Sequence, residues 1–124
     1  MRVVLDANVL ISAALSRGPS HRIVRGWLRG RTFELVICDR LLCEVRVVLT
    51  ERPRLRKWIS LEGVERYLAT FATVAEVRPD PVAGPALTRD PDDDYVIHLA
   101  RAHNAEVIVS GDAAFSNGMS RILR

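Results

Sequence analysis

Residues 1–12 read MRVVLDANVLIS, a short apolar, β-branched run that stops on Asp6, with Asn8 two positions later. A run with no polar alternation predicts a short strand over 2–5 buried on both faces, the pattern of a parallel sheet covered by helices. Residues 8–15 continue at helical spacing, so the first strand passes directly into a helix. Asp6 stands at that junction, where a carboxylate can cap the helix or present itself at the end of the strand.

The rest of the chain repeats this alternation. Ser20 is a candidate N-cap for HRIVRGWLRG, with Ile23, Val24, Trp27 and Leu28 on one stripe and Gly30 as its stop. FELVIC (33–38) reads as a second strand. Asp39 is placed to cap a third helix that carries Leu41, Leu42, Val45, Val48 and Leu49. Pro53 interrupts it before a short helix in RLRKWI, and Ser60 opens a further helix bearing Leu61, Val64, Leu68 and Phe71. VAEV (74–77) reads as a weak strand, followed by a connection holding Pro79, Pro81, Pro85 and Pro91. DDDYVIHLARAH is a helix with an acidic first turn; EVIVSGD carries a strand, and RIL near the C-terminus a last short one. Alternating strands and helices imply right-handed crossovers and a three-layer α/β/α sandwich around a central parallel sheet.

The 124 residues suit one domain, 1–124. Hydrophobic residues make up 48% and charged residues 27%, an ordinary globular balance. No apolar stretch is long enough to span a bilayer and the first 15 residues are not those of a signal peptide, so a cytoplasmic protein without a membrane partner is expected. Cys38 and Cys43 form no disulfide framework or metal knuckle, and both are expected in or beside the core. Of the 18 basic residues only Lys57 is a lysine. Arginine forks suit phosphate, although arginine in place of lysine is also a common base-composition habit. A pI near 9.4 permits a nucleic-acid partner.

In open parallel sheets, ligand sites form outside the carboxyl ends of the strands. Asp6 follows the first strand, Asp112 follows EVIV, Glu44 lies in the helix after FELVIC, and Asp94 lies in the first turn of the helix before EVIV. Placing Asp94 at the same edge requires the proline-rich connection to fold back. Glu44 shares the face of Leu41 and Val48. A charge on an apolar stripe needs a partner, and Arg40 and Arg46 read as offset around the helix. Four converging carboxylates repel one another unless a cation joins them. An oxygen-only donor set suits magnesium or manganese, with Asn8, Asp93 and Ser110 in supporting positions.

Each acid also has a plain local explanation: Asp6 as a cap, Asp112 as a turn residue, 90–94 as a solvated helix start, Glu44 as a boundary residue. Their coincidence at one predicted edge favours a site. His21, His98 and His103 read as structural or surface groups, Trp27 and Trp58 as packing residues. RPRLRK (52–57) reads first as a solvated face and second as a binding patch. No glycine-rich phosphate loop or serine elbow is present.

With these residues in place the chain resembles the PIN-domain ribonucleases, in particular the toxins of toxin–antitoxin pairs. VVLDANVLIS, RLLCEVRVVL around Glu44 and DPDDDYVIHLARAHNAEVIVSGD carry the likeness, and SGDAAF is similar to the family's Thr/Ser-x-Asp-x-x-Phe ending. Asp94 and Asp112 stand 18 apart, as the family pattern usually has its two late acids, and the resemblance therefore favours Asp94 over Asp92 and Asp93 as the family carboxylate. His98 departs from the small residues common at its position. The resemblance implies a metal-dependent endoribonuclease in which Asp6, Glu44, Asp94 and Asp112 bind one or two Mg2+ or Mn2+ ions and catalyse hydrolysis of single-stranded RNA. It implies rim arginines, for which Arg52, Arg54, Arg56 and Lys57 are candidates, a homodimer, and a small cognate antitoxin partner.

Haloacid-dehalogenase phosphatases also place an aspartate after strand one, but need a second where this chain has Asn8. Receiver domains need an acidic pair before that aspartate and a late lysine, and the chain has neither. A non-catalytic PIN fold that binds RNA or protein is the stronger rival.

Overall fold

The computed structural model describes residues 1–30, 33–82, 91–110 and 119–121, with the backbone alone at 91–94 and 119–121. The elements are β1 (Arg2–Leu5), α1 (Ala7–Leu15), α2 (Pro19–Gly30), β2 (Glu34–Cys38), α3 (Asp39–Glu51), a 3-10 turn (Pro53–Lys57), α4 (Leu61–Val74), β3 (Glu76–Arg78), α5 (Pro91–Ala102), β4 (Val107–Val109) and β5 (Met119–Arg121). The sheet order is β3-β2-β1-β4-β5. β1 to β4 are mutually parallel, and β5 pairs antiparallel with β4. The expected α/β/α sandwich is therefore present, with an antiparallel edge that a three-residue strand is too short to announce through periodicity.

The apolar runs behave as a doubly covered sheet requires. Val3–Leu5, Leu35–Cys38 and Val107–Val109 are all buried. Strand order moves one way from β1 through β2 to β3, then jumps back across β1 to β4. Right-handed crossovers therefore put α1 to α4 on one face of the sheet and α5 on the other. The reversal between β1 and β4 is the topological switch point, and the crevice outside their carboxyl ends is where such sheets hold ligands.

Register fixes what stands there. Leu5 pairs with Val109, and the Asp6 amide donates to the Val109 carbonyl at 3.0 Å, which brings Asp6 level with Ser110. The β1–β2 offset, carried on from Val3 and Leu35, brings Cys38 to the other side of Asp6. α5 hands the chain to β4 through a Schellman turn. The Ala105 amide donates to the Ala100 carbonyl at 2.8 Å around Asn104, whose φ of 58° is one that asparagine tolerates.

Packing on the larger helical face centres on α4. Phe71 stacks on Trp27 of α2, centroids 5.5 Å apart and planes 2° apart, and meets Tyr67 edge-on at 4.9 Å. The Tyr67 hydroxyl donates to the Leu10 carbonyl of α1 at 2.6 Å, and burial pushes its phenol well above the ordinary value.

Several local expectations shift. Pro19, not a residue after Ser20, opens α2, since proline's fixed φ suits the first helical position. Asp39 is the first residue of α3 and the N-cap is Cys38, which gives no side-chain cap bond; Asp80, following β3, accepts from the Arg40 amide at 2.9 Å instead. Ser60 caps α4 as expected, accepting from Gly63 N at 3.0 Å. α4 runs through Val74, so β3 starts at Glu76. Trp58 is 61% exposed and does not pack as expected, and Cys43 is exposed on α3 while Cys38 is buried. No helix among the described residues is long and apolar enough to cross a membrane.

Two predictions follow from this packing. Phe71→Ala removes the ring shared by α2 and α4 and should cost about 3–5 kcal/mol, read as a fall in the urea midpoint at unchanged slope. Burial, and secondarily Asp80, push the Cys38 thiol up to about 11 from 9.0. A raised thiol pKa favours the folded state in full below pH 9 and loses that contribution as pH rises through about 11. Ellman's reagent at pH 8 should therefore label Cys43 alone in the folded protein and Cys38 only after unfolding.

Candidate metal centre

Asp6 is 7% exposed, and both of its carboxylate oxygens are engaged. Oδ1 accepts from the Ala7 amide at 2.7 Å, and Oδ2 accepts from the Ser110 hydroxyl at 2.9 Å. The Asp6 carbonyl meanwhile accepts from the Val9 and Leu10 amides. Asp6 is thus the N-cap of α1 and also the group that joins the ends of β1 and β4. A carboxylate oxygen carries two lone pairs and can accept a hydrogen bond and bind a cation at once.

Glu44 approaches from α3, where it is half-buried. The Tyr95 hydroxyl of α5 donates to Glu44 Oε2 at 3.3 Å, long for a hydroxyl–carboxylate bond. Burial first, then the negative charges of Glu44, Cys38 and Asp6, push the Tyr95 phenol far above its ordinary value, with Arg40 pulling it partly back. The hydroxyl keeps its proton and is a donor at any working pH. The charges of both Asp6 and Glu44 thus bear on this one phenol.

Arg40 lies beside Tyr95 as well. Its guanidinium carbon sits 4.0 Å over the Tyr95 ring centroid, a cation–π contact. The reading of Arg40 as offset from Glu44 is therefore corrected: the two are one helical turn apart and converge on the same tyrosine, because a long arginine side chain spans the small angular offset between neighbouring rows. Arg46 does point elsewhere, pairing with Glu65 of α4 at 3.1 Å.

The other expected residues distribute as follows. Ser110 is 1% exposed and binds Asp6. Asn8 is exposed in the first turn of α1. The backbones of Asp93 and Asp94 lie in the first turn of α5, and because α5 precedes a strand parallel to β1, that turn lies at the carboxyl edge with Asp6. Their side chains, and Asp112 entirely, lie outside the described residues. Arg52, Arg54, Arg56 and Lys57 follow the C-terminal end of α3, which runs away from the carboxyl edge; eight residues at 1.5 Å rise put Arg52 about 12 Å along the axis from Glu44. Arg56 is further committed to the Leu49 carbonyl. The structure does not bring this group to the rim of the acidic pair.

Among the described residues no group of three or more His, Cys, Asp and Glu is gathered to hold a metal ion. The two acids that are described nevertheless fit one: they offer only oxygen donors, Asp6 is buried at the switch point, and Glu44 stands on the helix that follows the neighbouring strand β2. Such a donor set suits a hard divalent cation. Tyr95 is the contributor that sequence reasoning passed over, since a tyrosine on an apolar stripe reads as core; its place directly after the acidic run was the available signal.

A family model described as the PIN domain matches residues 2–114 of the chain. No curated protein matches it. PIN domains are nuclease-type domains that typically use divalent metals.

Ser110→Ala removes a hydrogen bond to a buried carboxylate and should lower stability by about 1.5–3 kcal/mol at neutral pH, measured by urea unfolding.

Proposed function

Because the chain belongs to the PIN-domain family, we propose that it is a metal-dependent endoribonuclease that hydrolyses phosphodiester bonds in single-stranded RNA, as the toxin of a toxin–antitoxin pair. The observation that carries this reading is the Asp6 carboxylate, buried at the β1/β4 switch point with Ser110 bonded to it and Glu44 close by.

Asp6, Glu44, Asp94 and Asp112 would hold one or two Mg2+ or Mn2+ ions. A bound divalent ion lowers the pKa of water and offsets charge on a phosphodiester. The chain's own residues do the remaining work. Asp6, fixed by Ala7 N and Ser110, gives a ligand that needs no reorganisation. The N-termini of α1, α3 and α5 all lie at the carboxyl edge, and their positive dipole ends favour phosphate there. In the hydrolysis, water oxygen bonds to phosphorus as the bond from phosphorus to the 3′-oxygen breaks. The departing oxygen takes a proton, leaving a 5′-phosphate and a 3′-hydroxyl. Single strands suit a recessed carboxylate because their phosphates can descend to it. On this reading the protein works in the cytoplasm, as a homodimer held silent by a small antitoxin; the likeness of its motifs to toxin PIN domains supports that part.

The test is cleavage of labelled single-stranded RNA with Mg2+ or Mn2+, with EDTA, and with Asp6→Asn. EDTA should abolish cleavage and Mg2+ restore it. Asp6→Asn should lose more than the roughly 10–100-fold that outer-sphere partners cost. Cleavage that survives both treatments would overturn the proposal, and a protein that binds RNA without cutting it under any of these conditions would be the non-catalytic module.

A further inference from the structure

We infer that Tyr95 is a positioning residue of this centre, its hydroxyl holding the Glu44 carboxylate toward Asp6 while Arg40 fixes the ring that carries the hydroxyl. The inference rests on the nuclease reading and adds to it a residue that acts through Glu44.

Glu44 and Tyr95 come from opposite layers of the sandwich, α3 on one face of the sheet and α5 on the other. Their hydrogen bond closes over the carboxyl edge of the sheet at 3.3 Å. A half-buried glutamate on its own has three side-chain torsions to settle, and the entropy lost in settling them opposes ion binding. Tyr95 has two, and the residue is only 4% exposed, so the donor is already in place. Arg40 covers that ring at 4.0 Å. Arg40 is itself tethered, since its amide donates to Asp80 Oδ1. The order of restraint runs from Asp80 to the start of α3, from Arg40 to the Tyr95 ring, and from the Tyr95 hydroxyl to Oε2 of Glu44. Hydrogen-bond partners of metal-ligating groups orient them in this way.

The experiment compares the whole chain with Tyr95→Phe, which removes only the hydroxyl, and with Arg40→Lys, which keeps the charge but loses the planar stack. Calorimetry with Mn2+ alone should show affinity weakened about 10–100-fold in Tyr95→Phe and less in Arg40→Lys. The Mg2+ concentration for half-maximal RNA cleavage should rise by the same factor, with the rate at saturating Mg2+ far less affected. In a Glu44→Gln background, Tyr95→Phe should cost nothing more. Wild-type Mn2+ affinity in Tyr95→Phe overturns the inference, as does additivity of Tyr95→Phe with Glu44→Gln. In either case a wild-type protein that binds Mn2+ and cleaves RNA leaves the nuclease reading standing. A wild-type protein that does neither brings both down. If Tyr95→Phe does not fold, Arg40→Lys carries the test, and unchanged Mn2+ affinity there overturns the inference.

Discussion

The arrangement turns on one carboxylate held where three parts of the chain meet. Asp6 continues β1, begins α1 and bonds the residue that follows β4. Burying a carboxylate is costly unless its oxygens find donors, and here each oxygen finds one. The cap reading and the ligand reading of Asp6 are compatible: a carboxylate oxygen can accept a hydrogen bond and bind a cation at once. Its position follows from register, since Leu5 opposite Val109 leaves Asp6 beside Ser110. A slip of one residue in that parallel pairing would remove the hydroxyl from the carboxylate and turn the strand's faces over.

Both ends of the sheet carry charge, but differently. At the amino edge Arg2 reaches Glu34 at 3.1 Å, Glu76 at 3.5 Å and the His103 carbonyl at 2.9 Å, tying β1, β2, β3 and the corner before β4 together. Arg2 is paired, partly exposed and surrounded by opposite charge, the ordinary economy of a protein surface. At the carboxyl edge the described charges include two acids drawn together, one of them buried. The positive ends of α1, α3 and α5 offset part of that repulsion.

Sequence made the sheet readable because both of its faces are covered. Val3–Leu5, Leu35–Cys38 and Val107–Val109 had no reason to alternate, and each gave an unbroken apolar run. Helix stripes were equally plain, and Ser60 announced α4 through a bond three residues long. Contacts that span distance were not readable. Asp80 satisfies the α3 amide from 40 residues away, and no local pattern at Asp39 could reveal it. Tyr95 looks like core from its own helix and becomes a donor only when α3 lies opposite. The basic run at 52–57, which reads first as a solvated face, has a position that its own sequence could not give either. Its charges are dense in sequence, yet the direction of α3 carries them from the acids, and Arg56 turns back on Leu49.

The same geometry explains why the centre requires a link across the layers. Asp6 and Ser110 are extensions of adjacent strands, so the sheet itself sets their separation. Glu44 has no such support: it projects from a helix on one face toward a point beyond the sheet's edge, where helix packing fixes position less tightly than strand pairing does. A tyrosine from the opposite layer supplies the missing restraint, and a stacked arginine from the turn preceding Glu44 restrains the tyrosine. Helices α3 and α5 thereby settle their spacing at the edge where the acids lie. A change in the packing of either helix would be felt first as a displaced Glu44 carboxylate, while Asp6, fastened by strand register, would stay where it is.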